Sequence, residues 1–409
     1  MKTLFFSFVL FLFCNVVNSQ WYVLNPSPTS NHLRSVHFIN VNTGWIGGSS
    51  GTILKTTNGG SSWTAQSITS PYTVYDIKFV SDYVGFLCTG DGKIFKTTNA
   101  GNEWVAKFSG SGYGFFGMHF RDSNNGWVVG GPTFGSPKIS KTSDGGETWI
   151  SLPTTGLNQL RTVHFFSGSQ GIVSGADGKI MKTTNGGTNW YRVYSSPTGT
   201  IFKFFYVSSN VAFASSTNST VLKTTSTDTL WSALFIPGLP AYNSLTSLHF
   251  VSSSVGWVVC DGGYIAYTDN GGSNWVLQNS GTSNDLDDVC FVNNTLGFAV
   301  GDGGVFLSTV PIIGIKKITQ VVDGFKLSQN YPNPFNPTTN IRFAIPKTGF
   351  TVLKVFDLLG KEVATLVNKK LSTGSYEVDW NAIKFRSGVY FYQLQSGDFI
   401  ETKKMLFIK

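Results

Sequence analysis

Acidic side chains are scarce in this chain, and glutamate is the scarcest of them before residue 313. Charged residues make up 13% of the 409 residues, and only Glu103 and Glu147 lie in that long first part. An enzyme that cleaves glycosides with two apposed carboxylates would therefore have to rely on aspartates here. The composition favours a structural or binding role for the first 312 residues over acid–base chemistry.

Cysteine and long apolar runs are also rare. At the N-terminus, Lys2, an apolar run over residues 4–13 and the small-residue site Val17-Asn-Ser19 predict a signal peptide over 1–19. No later stretch is apolar enough to cross a membrane, so the mature chain is expected to lack a transmembrane segment. The remaining cysteines are odd in number and far apart, so we expect buried thiols and no disulfide framework. They are Cys88, Cys260 and Cys290.

Positive charge is concentrated at one end. From Pro311 onward there are 14 Lys or Arg against 7 Asp or Glu, whereas the rest of the chain is close to neutral. The basic balance belongs to the tail alone, so no nucleic-acid partner is expected.

What the chain has in abundance is one repeated phrase, in which Thr is followed four residues later by Gly and seven residues later by Trp. Successive Trp residues are 41 to 45 residues apart. A period of this length indicates a closed array of small sheets. In each copy an Asn or Asp oxygen can accept backbone N–H bonds and close a turn. The copies are Thr56–Trp63, Thr97–Trp104, Thr142–Trp149, Thr183–Trp190, a degenerate Thr224–Trp231, and Thr268–Trp275.

Three short β-rich runs precede each phrase, so each repeat predicts a four-stranded blade. There are seven such preludes but only six phrases, because the seventh prelude ends near Ser308. The segment Trp21-Tyr-Val-Leu24 resembles the missing fourth strand, and pairing it there would close the ring without an open edge. The prediction is an all-β chain with a seven-bladed β-propeller over 20–312.

Composition changes after Val310, and we interpret 313–324 as a linker and 325–409 as a small immunoglobulin-like β-sandwich. Apolar and polar residues alternate along its candidate strands. Its phrases Tyr331-Pro-Asn-Pro-Phe-Asn-Pro, Val355-Phe-Asp-Leu-Leu-Gly and Ser387-Gly-Val-Tyr-Phe-Tyr resemble the type A sorting domain of the type IX secretion system. The resemblance implies export through the periplasm, the type IX machinery as partner, and a secreted or outer-surface location.

The repeats resemble Asp-box (BNR-like) propellers of the photosystem II stability and assembly factor type. The phrase Gly-Trp-x-x-Gly followed by Gly-x-Ile-x-Lys-Thr-Thr-Asn-Gly-Gly-x-x-Trp carries this resemblance. Asp boxes also occur in sialidases, which use a Tyr nucleophile with a Glu partner. Glu103 and Glu147 both lie inside boxes at blade edges, so no sialidase site is expected.

Two clusters raise the question of metal binding. Asp285, Asp287 and Asp288 could form a calcium site or an acid/base pair, and a solvated loop is the alternative that we favour. Four histidines precede a Phe in equivalent strands, but they belong to different blades around a ring. We interpret them as packing residues and expect no metal and no cofactor. They are His37, His119, His164 and His249.

One register of the first strands should rim the central channel, where propellers usually bind. The candidate ligand-binding residues are Arg34, Tyr75, Phe116, Arg161 and Asp287, with Phe202 and Thr246 in the same register. Two arginines with aromatic neighbours could hold an anionic or sugar-like ligand. We therefore expect a secreted or cell-surface, non-catalytic binding or scaffold propeller with a glycan or protein ligand. The alternative is a secreted glycan hydrolase or lyase that uses aspartates.

Overall fold

Nine four-stranded antiparallel sheets make up the described part of the protein. The structure is a computed structural model that describes residues 21–24, 27–132, 135–196, 199–226, 230–310, 315–319, 322–382 and 385–409. Seven sheets form the blades of a β-propeller and two form a β-sandwich, which confirms the predicted fold class. The predicted signal peptide lies outside the described residues.

Blades 1 to 4 each pair their strands in chain order. Blade 1 has Leu33–Phe38, Gly44–Gly48, Ile53–Thr56 and Thr64–Gln66. Blade 2 has Val74–Phe79, Gly85–Thr89, Lys93–Thr97 and Val105–Ser109. Blade 3 has Gly114–Phe120, Gly126–Gly131, Lys138–Thr142 and Ile150–Ser151. Blade 4 has Leu160–Phe165, Gly171–Gly175, Lys179–Thr183 and Tyr191–Ser195.

Blades 5 and 6 follow the same order, and blade 7 takes its outer strand from the N-terminus. Blade 5 has Ile201–Tyr206, Ala212–Ser216, Thr220–Thr224 and Ser232–Phe235. Blade 6 has Leu245–Phe250, Gly256–Cys260, Ile265–Thr268 and Val276–Gln278. Blade 7 has Leu286–Phe291, Gly297–Gly301, Phe306–Ser308 and Tyr22–Val23. Short 3-10 turns occur at Asp261–Gly263 and Asp302–Gly304.

The Asp-box turn is closed by side-chain oxygens, as the sequence predicted. In the first box, Thr56 Oγ1 donates to Asn58 Oδ1 at 2.9 Å and accepts from the Gly60 amide at 2.9 Å. Asn58 Oδ1 also accepts from the Ser62 amide at 2.9 Å. Gly60 has a φ of 88°, a backbone conformation that residues other than glycine rarely adopt. The same bonds recur around Thr97, Thr142, Thr183 and Thr268.

Stacked aromatic rings join neighbouring blades. The aromatic residue near the start of one blade's second strand stacks on the Phe that ends the next blade's first strand, with centroids 3.5 to 4.0 Å apart. Six of the seven interfaces between blades have such a pair: Trp45–Phe79, Phe86–Phe120, Trp127–Phe165, Phe213–Phe250, Trp257–Phe291 and Phe298–Phe38. Between blades 4 and 5, Ile172 packs in one cluster with Tyr206 and other residues of blade 5.

Each Phe of these pairs lies over a glycine of its own blade. A Cβ on Gly44 would lie 2.6 Å from the Phe38 ring, and one on Gly297 would lie 2.3 Å from the Phe291 ring. Contacts this short do not occur between real atoms, so only glycine leaves room for the ring. The glycine that begins the second strand in six of the seven blades is therefore part of the stack between blades, and blade 5 has Ala212 at this place.

Trp21 takes the place of the missing box tryptophan. Tyr22 pairs with Ser308 and Val23 with Leu307, so the predicted closing strand is confirmed. The Trp21 ring meets Phe291 edge to face at 5.8 Å, as Trp63 meets Phe38 at 6.1 Å. Its indole N–H donates to Gln278 Oε1 of blade 6 at 2.9 Å. Trp21 therefore completes blade 7 and ties it to blade 6.

The C-terminal sandwich packs two sheets around one apolar core that includes Phe343, Trp380 and Tyr392. One sheet has Ile315–Thr319, Gly374–Asn381, Thr338–Ile345 and Lys326–Leu327, in that spatial order. The other has Glu362–Leu371, Gly349–Phe356, Gly388–Ser396 and Phe399–Phe407.

Two strands of the sandwich correct the sequence analysis. Ile315–Thr319 pairs with Gly374–Asn381, so the predicted linker 313–324 contains an edge strand and the sandwich begins before residue 325. Glu362–Leu371 forms a strand without the alternation of apolar and polar residues that the sequence analysis relied on. This strand is the outermost strand of its sheet. Solvent reaches an edge strand more easily than a central one, so apolar and polar residues alternate less strictly along it.

We predict that Trp21→Ala lowers the free energy of unfolding of the propeller by about 3–5 kcal/mol, the usual cost of truncating a buried aromatic residue. Trp21 is only 3% exposed. Thermal and urea unfolding of the purified chain would measure the change. Val23→Ala is the matched control, because Val23 lies on the same strand but is 42% exposed. Equal losses for the two variants would show that Trp21 does not hold the ring closed.

Candidate functional site

The first strands of the seven blades enclose a central channel with a cavity of about 710 Å³. Every first strand has a β-bulge at the same place, where one residue is skipped in the pairing with the second strand. A bulge leaves its extra residue unpaired and can redirect that side chain. The skipped residues are Arg34, Tyr75, Phe116, Arg161, Phe202, Thr246 and Asp287, and all seven line the cavity.

These seven residues, here called the mouth ring, form the register that the sequence analysis proposed as the channel rim. Periodicity placed them at equivalent positions, but the shared bulge is a feature of strand pairing that periodicity does not show. The structure thus brings Arg34, Tyr75, Phe116, Arg161 and Asp287 into one cavity wall.

The two arginines of the mouth ring have different surroundings. Arg34 Nη1 donates to Asp287 Oδ1 at 2.5 Å, and His32 Nε2 lies 2.5 Å from Asp287 Oδ2. Both oxygens of Asp287 are thus engaged by neighbouring side chains. Arg161 forms no ion pair with any carboxylate in the described part of the chain. Arg34 is thus already paired within the protein and Arg161 is not, and ligand binding by either arginine stays a prediction.

Arg161 is held by an aromatic side chain. Its guanidinium carbon lies 4.7 Å from the Phe116 ring centroid, and Tyr75 meets Phe116 edge to face at 5.0 Å. Its polar contact is with Gln159 Oε1 at 3.5 Å, and its Nε is buried without a hydrogen-bond partner. Burial lowers the pKa of Arg161 from its usual value, and Arg34 contributes to this shift. The guanidinium is thus partly desolvated and still has donors to offer.

The residue after each bulge serves the joints between blades. Several of these side chains accept the backbone N–H of the next blade: Ser35 from Ile77, Asp76 from Met118, Thr162 from Phe204, and Asp288 from Val36. Distances run from 3.0 to 3.2 Å. A Cβ on Gly117, at this position in blade 3, would lie 2.3 Å from the Arg161 carbonyl oxygen.

Asp288 carries the largest number of these ties. It forms an ion pair with Lys203 of blade 5 and accepts from Ser247 Oγ of blade 6 at 2.7 Å. Burial would raise the pKa of Asp288, but Lys203 and Lys78 outweigh this effect and hold it below its usual value. The acid is thus a structural anion shared by blades 1, 5, 6 and 7.

The aspartate cluster differs from the solvated loop that the sequence suggested. Asp287 and Asp288 lie on the first strand of blade 7, one in the mouth ring and one buried. Asp285 precedes that strand, and its Oδ1 accepts from the Gly262 amide at 2.7 Å. The loop interpretation is wrong for Asp287 and Asp288 because pairing of the strand begins at Leu286.

Deeper in the channel the four histidines line the cavity with Lys78, Phe205 and Cys290. His119 and His164 have centroids 4.1 Å apart, and His164 stacks on Tyr206 at 4.1 Å. Burial lowers the pKa of His37 and of His249 to about 3 and that of His119 to about 4. It holds the pKa of His164 well below its usual range. All four imidazoles are therefore neutral near pH 7.

No described residues form a group of three or more His, Cys, Asp or Glu side chains able to hold a metal ion. Helices long and apolar enough to cross a membrane do not occur within the described ranges. Cys88, Cys260 and Cys290 are free and buried. Glu147 bridges Lys96 and Lys107 at 2.7 Å each on the outside of the blades, away from the channel.

Seven Asp-box blades closed around a channel, with a sandwich appended, define the class: an all-β repeat propeller with a separate C-terminal domain. Residues 14–104 and 111–235 match the family described as photosynthesis system II assembly factor YCF48. These segments exceed half of the chain, and the protein belongs to that family. Residues 329–409 match the secretion system C-terminal sorting domain. Both predicted resemblances are confirmed, and the sorting domain supports export to the cell surface or the medium.

Two solved structures share the propeller fold. The structure described as YCF48 bound to D1 peptide has a TM-score of 0.59 and 17% identity, covering 71% of this chain and 95% of its own. That of YCF48 from Cyanidioschyzon merolae has a TM-score of 0.57 and 18% identity, covering 71% and 98%. At this identity the likeness concerns the fold alone. A search of curated protein sequences found no match.

We predict that the propeller loses stability as the pH falls below 6.5. An unfolded histidine binds a proton near pH 6.5, whereas the four channel histidines do so only at much lower pH. The unfolded state then holds more protons, so each histidine destabilises the fold by about 1.4 kcal/mol per pH unit below that point. Urea unfolding at pH 7.5, 6.0 and 5.0 would measure the slope.

The matched variant is His249→Phe, because Phe205 fills the equivalent place in blade 5. In this variant the unfolding free energy should fall less steeply as the pH is lowered, by the amount that corresponds to about one bound proton. An unchanged slope would show that His249 does not titrate as its burial requires.

Proposed function

We propose that the mature protein is an exported, non-catalytic propeller that acts as a binding or scaffold module, at the cell surface or free in the medium. Its ligand, a glycan or a protein, enters the channel mouth. The observation that carries this proposal is the state of Arg161, a partly desolvated guanidinium in the wall of a 710 Å³ cavity, without a carboxylate partner among the described residues.

Arg161 and its neighbours supply the chemistry of a binding site. A guanidinium with free donors favours a ligand that brings a carboxylate or another strong acceptor. Phe116, Tyr75 and Phe202 line the same cavity, and aromatic side chains contact sugar rings or apolar side chains well. A cavity of this size accommodates a small ligand or the end of a longer chain.

The carboxylates of the channel support a non-catalytic role. Asp287 is engaged by Arg34 and His32, and Asp288 by Lys203 and Ser247. Asp76 pairs with Lys78 at 3.0 Å and accepts from the Met118 amide. Acids that hold the blades together are poorly placed to exchange protons with a substrate.

The comparisons support a binding role for this fold. A similar propeller was solved as YCF48 bound to D1 peptide, and the family description is that of an assembly factor. We infer that this chain uses the same architecture for a different, extracellular ligand, since it carries a sorting domain.

One observation favours the enzyme alternative. Burial raises the pKa of Asp261, and the nearby carboxylates of Asp285 and Asp287 add to this shift. Asp261 lines the same cavity, and a carboxyl group with a raised pKa is what a hydrolase requires of its proton donor. A glycan hydrolase or lyase would use this side of the channel.

We predict that Arg161→Ala weakens ligand binding by about 10- to 100-fold, the value of one or two charge-assisted hydrogen bonds. Ligands would be identified on glycan and polysaccharide arrays with the mature propeller, with turnover assayed in parallel. Arg34→Ala should have a smaller effect, because Arg34 already pairs with Asp287.

Arg192→Ala is the matched control, since Arg192 lies on the outer strand of the same blade as Arg161. Binding unchanged by Arg161→Ala would contradict the proposed site. Turnover that is lost in Asp261→Asn or Asp287→Asn would establish the enzyme alternative instead.

We also propose that the sandwich is the address for export through the type IX machinery, after the predicted signal peptide has directed the chain to the periplasm. In a type IX-competent host, a chain without residues 325–409 should accumulate in the periplasm. Immunoblots of periplasm and medium would measure its distribution. An unchanged extracellular yield would refute the role of the tail.

A further inference from the structure

A tight turn in the sandwich is held closed without help from its two central side chains. Asp357 Oδ1 accepts from the amides of Leu359 and Lys361, both at 2.9 Å. The Asp357 amide donates to the Lys361 carbonyl oxygen at 3.0 Å, and Gly360 has a φ of 78°. Backbone and Asp357 alone therefore fix the shape of this turn, which joins Gly349–Phe356 to Glu362–Leu371.

The two side chains at its tip are leucines, and both point into solvent. Leu358 is 70% exposed and Leu359 is 91% exposed. Turn centres normally carry polar residues or glycine. Two leucines that make no hydrogen bond needed by the turn, and that keep most of their contact with water, are the kind of exposed apolar group that marks an interaction site.

The tip of the turn adjoins an apolar area on the sheet that contains Gly349–Phe356, on the face of that sheet that points away from the core. Phe356 leads into the turn and lies opposite Phe391 on the neighbouring strand. On that strand and the next, Val389 lies opposite Leu406, which is 37% exposed. These residues alternate with the buried Val355, Tyr390 and Met405 and so face away from the core. Leu358, Leu359, Phe356, Phe391, Val389 and Leu406 are here called the tip patch.

Basic side chains border the tip patch. Lys404 lies opposite Phe391, and Lys361 follows the turn. Neither forms an ion pair with any residue that the structure describes. The nearby Lys354 and Lys403 are paired, with Glu362 at 2.8 Å and Glu401 at 3.3 Å. Among the described residues at this border, the two unpaired lysines outnumber the single unpaired carboxylate of Asp357, which accepts from the turn amides. A net positive border suits a partner with carboxylates around an apolar pocket.

We propose that the tip patch is the surface by which the tail docks onto a protein component of the secretion machinery, with Leu358 and Leu359 entering an apolar pocket bordered by carboxylates. The proposal depends on the sorting role of the domain, to which residues 329–409 match. It adds the particular surface and the chemistry of the partner.

The test uses the full-length chain in a type IX-competent host. Leu358→Ser with Leu359→Ser should lower the extracellular yield about tenfold and raise the periplasmic pool, because a few apolar anchors dominate most protein interfaces. The matched control is Phe350→Ser with Ile400→Ser, at the opposite end of the same sheet face. Phe350 is 60% exposed and Ile400 is 56% exposed, and this control should export normally.

Three further measurements separate the outcomes. Thermal unfolding of the purified tip variant should match the wild type, and Leu358→Met with Leu359→Met should restore export. Lys361→Glu with Lys404→Glu should reduce export as well. Normal export of the serine tip variant, beside periplasmic retention of the chain without residues 325–409, would overturn the proposal while leaving the sorting role intact.

A lipid partner is the competing outcome. Purified wild-type protein would be mixed with vesicles of phosphatidylglycerol and phosphatidylethanolamine and sedimented. Absence of binding agrees with a protein partner. Binding that is lost in the serine tip variant would overturn the proposal in favour of a membrane surface.

Discussion

The stacked pair of rings between adjacent blades is the interaction on which the rest of this protein depends. Trp45 lies on Phe79 and Trp257 on Phe291, at 3.5 and 3.6 Å between centroids, and the pattern recurs at six of the seven interfaces. Each pair needs a glycine beneath its Phe, since a Cβ on Gly44 would lie only 2.6 Å from atoms of the Phe38 ring. The step from glycine to an aromatic residue, which five of the seven repeats have, therefore links the packing within a blade to the contact with the next blade. Interfaces built this way tolerate wide variation elsewhere in the repeat.

That tolerance is visible in the channel. The same first strands that supply Phe79 and Phe291 to the stacks also supply the bulge residues, the ties between blades and the deeper ring of histidines. Repetition fixes where these side chains lie, whereas their identity differs from blade to blade: the mouth ring has Arg at two places, aromatic residues at three, and Asp287 and Thr246 at the others. A symmetric scaffold thus carries an asymmetric cavity, with a free guanidinium on one side and paired carboxylates on the other. The side chains of the mouth ring can therefore differ between blades without disturbing the stacks.

Much of the fold could be predicted from the sequence, because the length and the turn residues of the repeat indicate a four-stranded blade. The seven preludes, the boxes and the spare strand at Trp21 were sufficient for the blade count and for the closure. The site was harder to predict for three physical reasons. Arg34 and Asp287 are 253 residues apart in the chain, so no local pattern shows that they neutralise each other. The bulges depend on pairing register, which composition does not encode. In the sandwich, Ile315–Thr319 was interpreted as part of a linker. It is an edge strand that pairs with one neighbouring strand only, so its sequence is less constrained than that of a central strand.

If the predicted signal peptide is removed, the position of Trp21 would link maturation of the chain to completion of its fold. Cleavage after Ser19, as the sequence predicts, would place this tryptophan second in the mature chain, so the outermost strand of blade 7 starts almost at the new terminus. The closing strand is synthesised early, but its pairing partner, residues 306–308, is synthesised nearly three hundred positions later. The ring of blades cannot close before then. A precursor that is still tethered through its signal would have its closing strand held at the membrane. Pairing of Tyr22–Val23 with Phe306–Ser308 would then depend on processing and release as well as on folding.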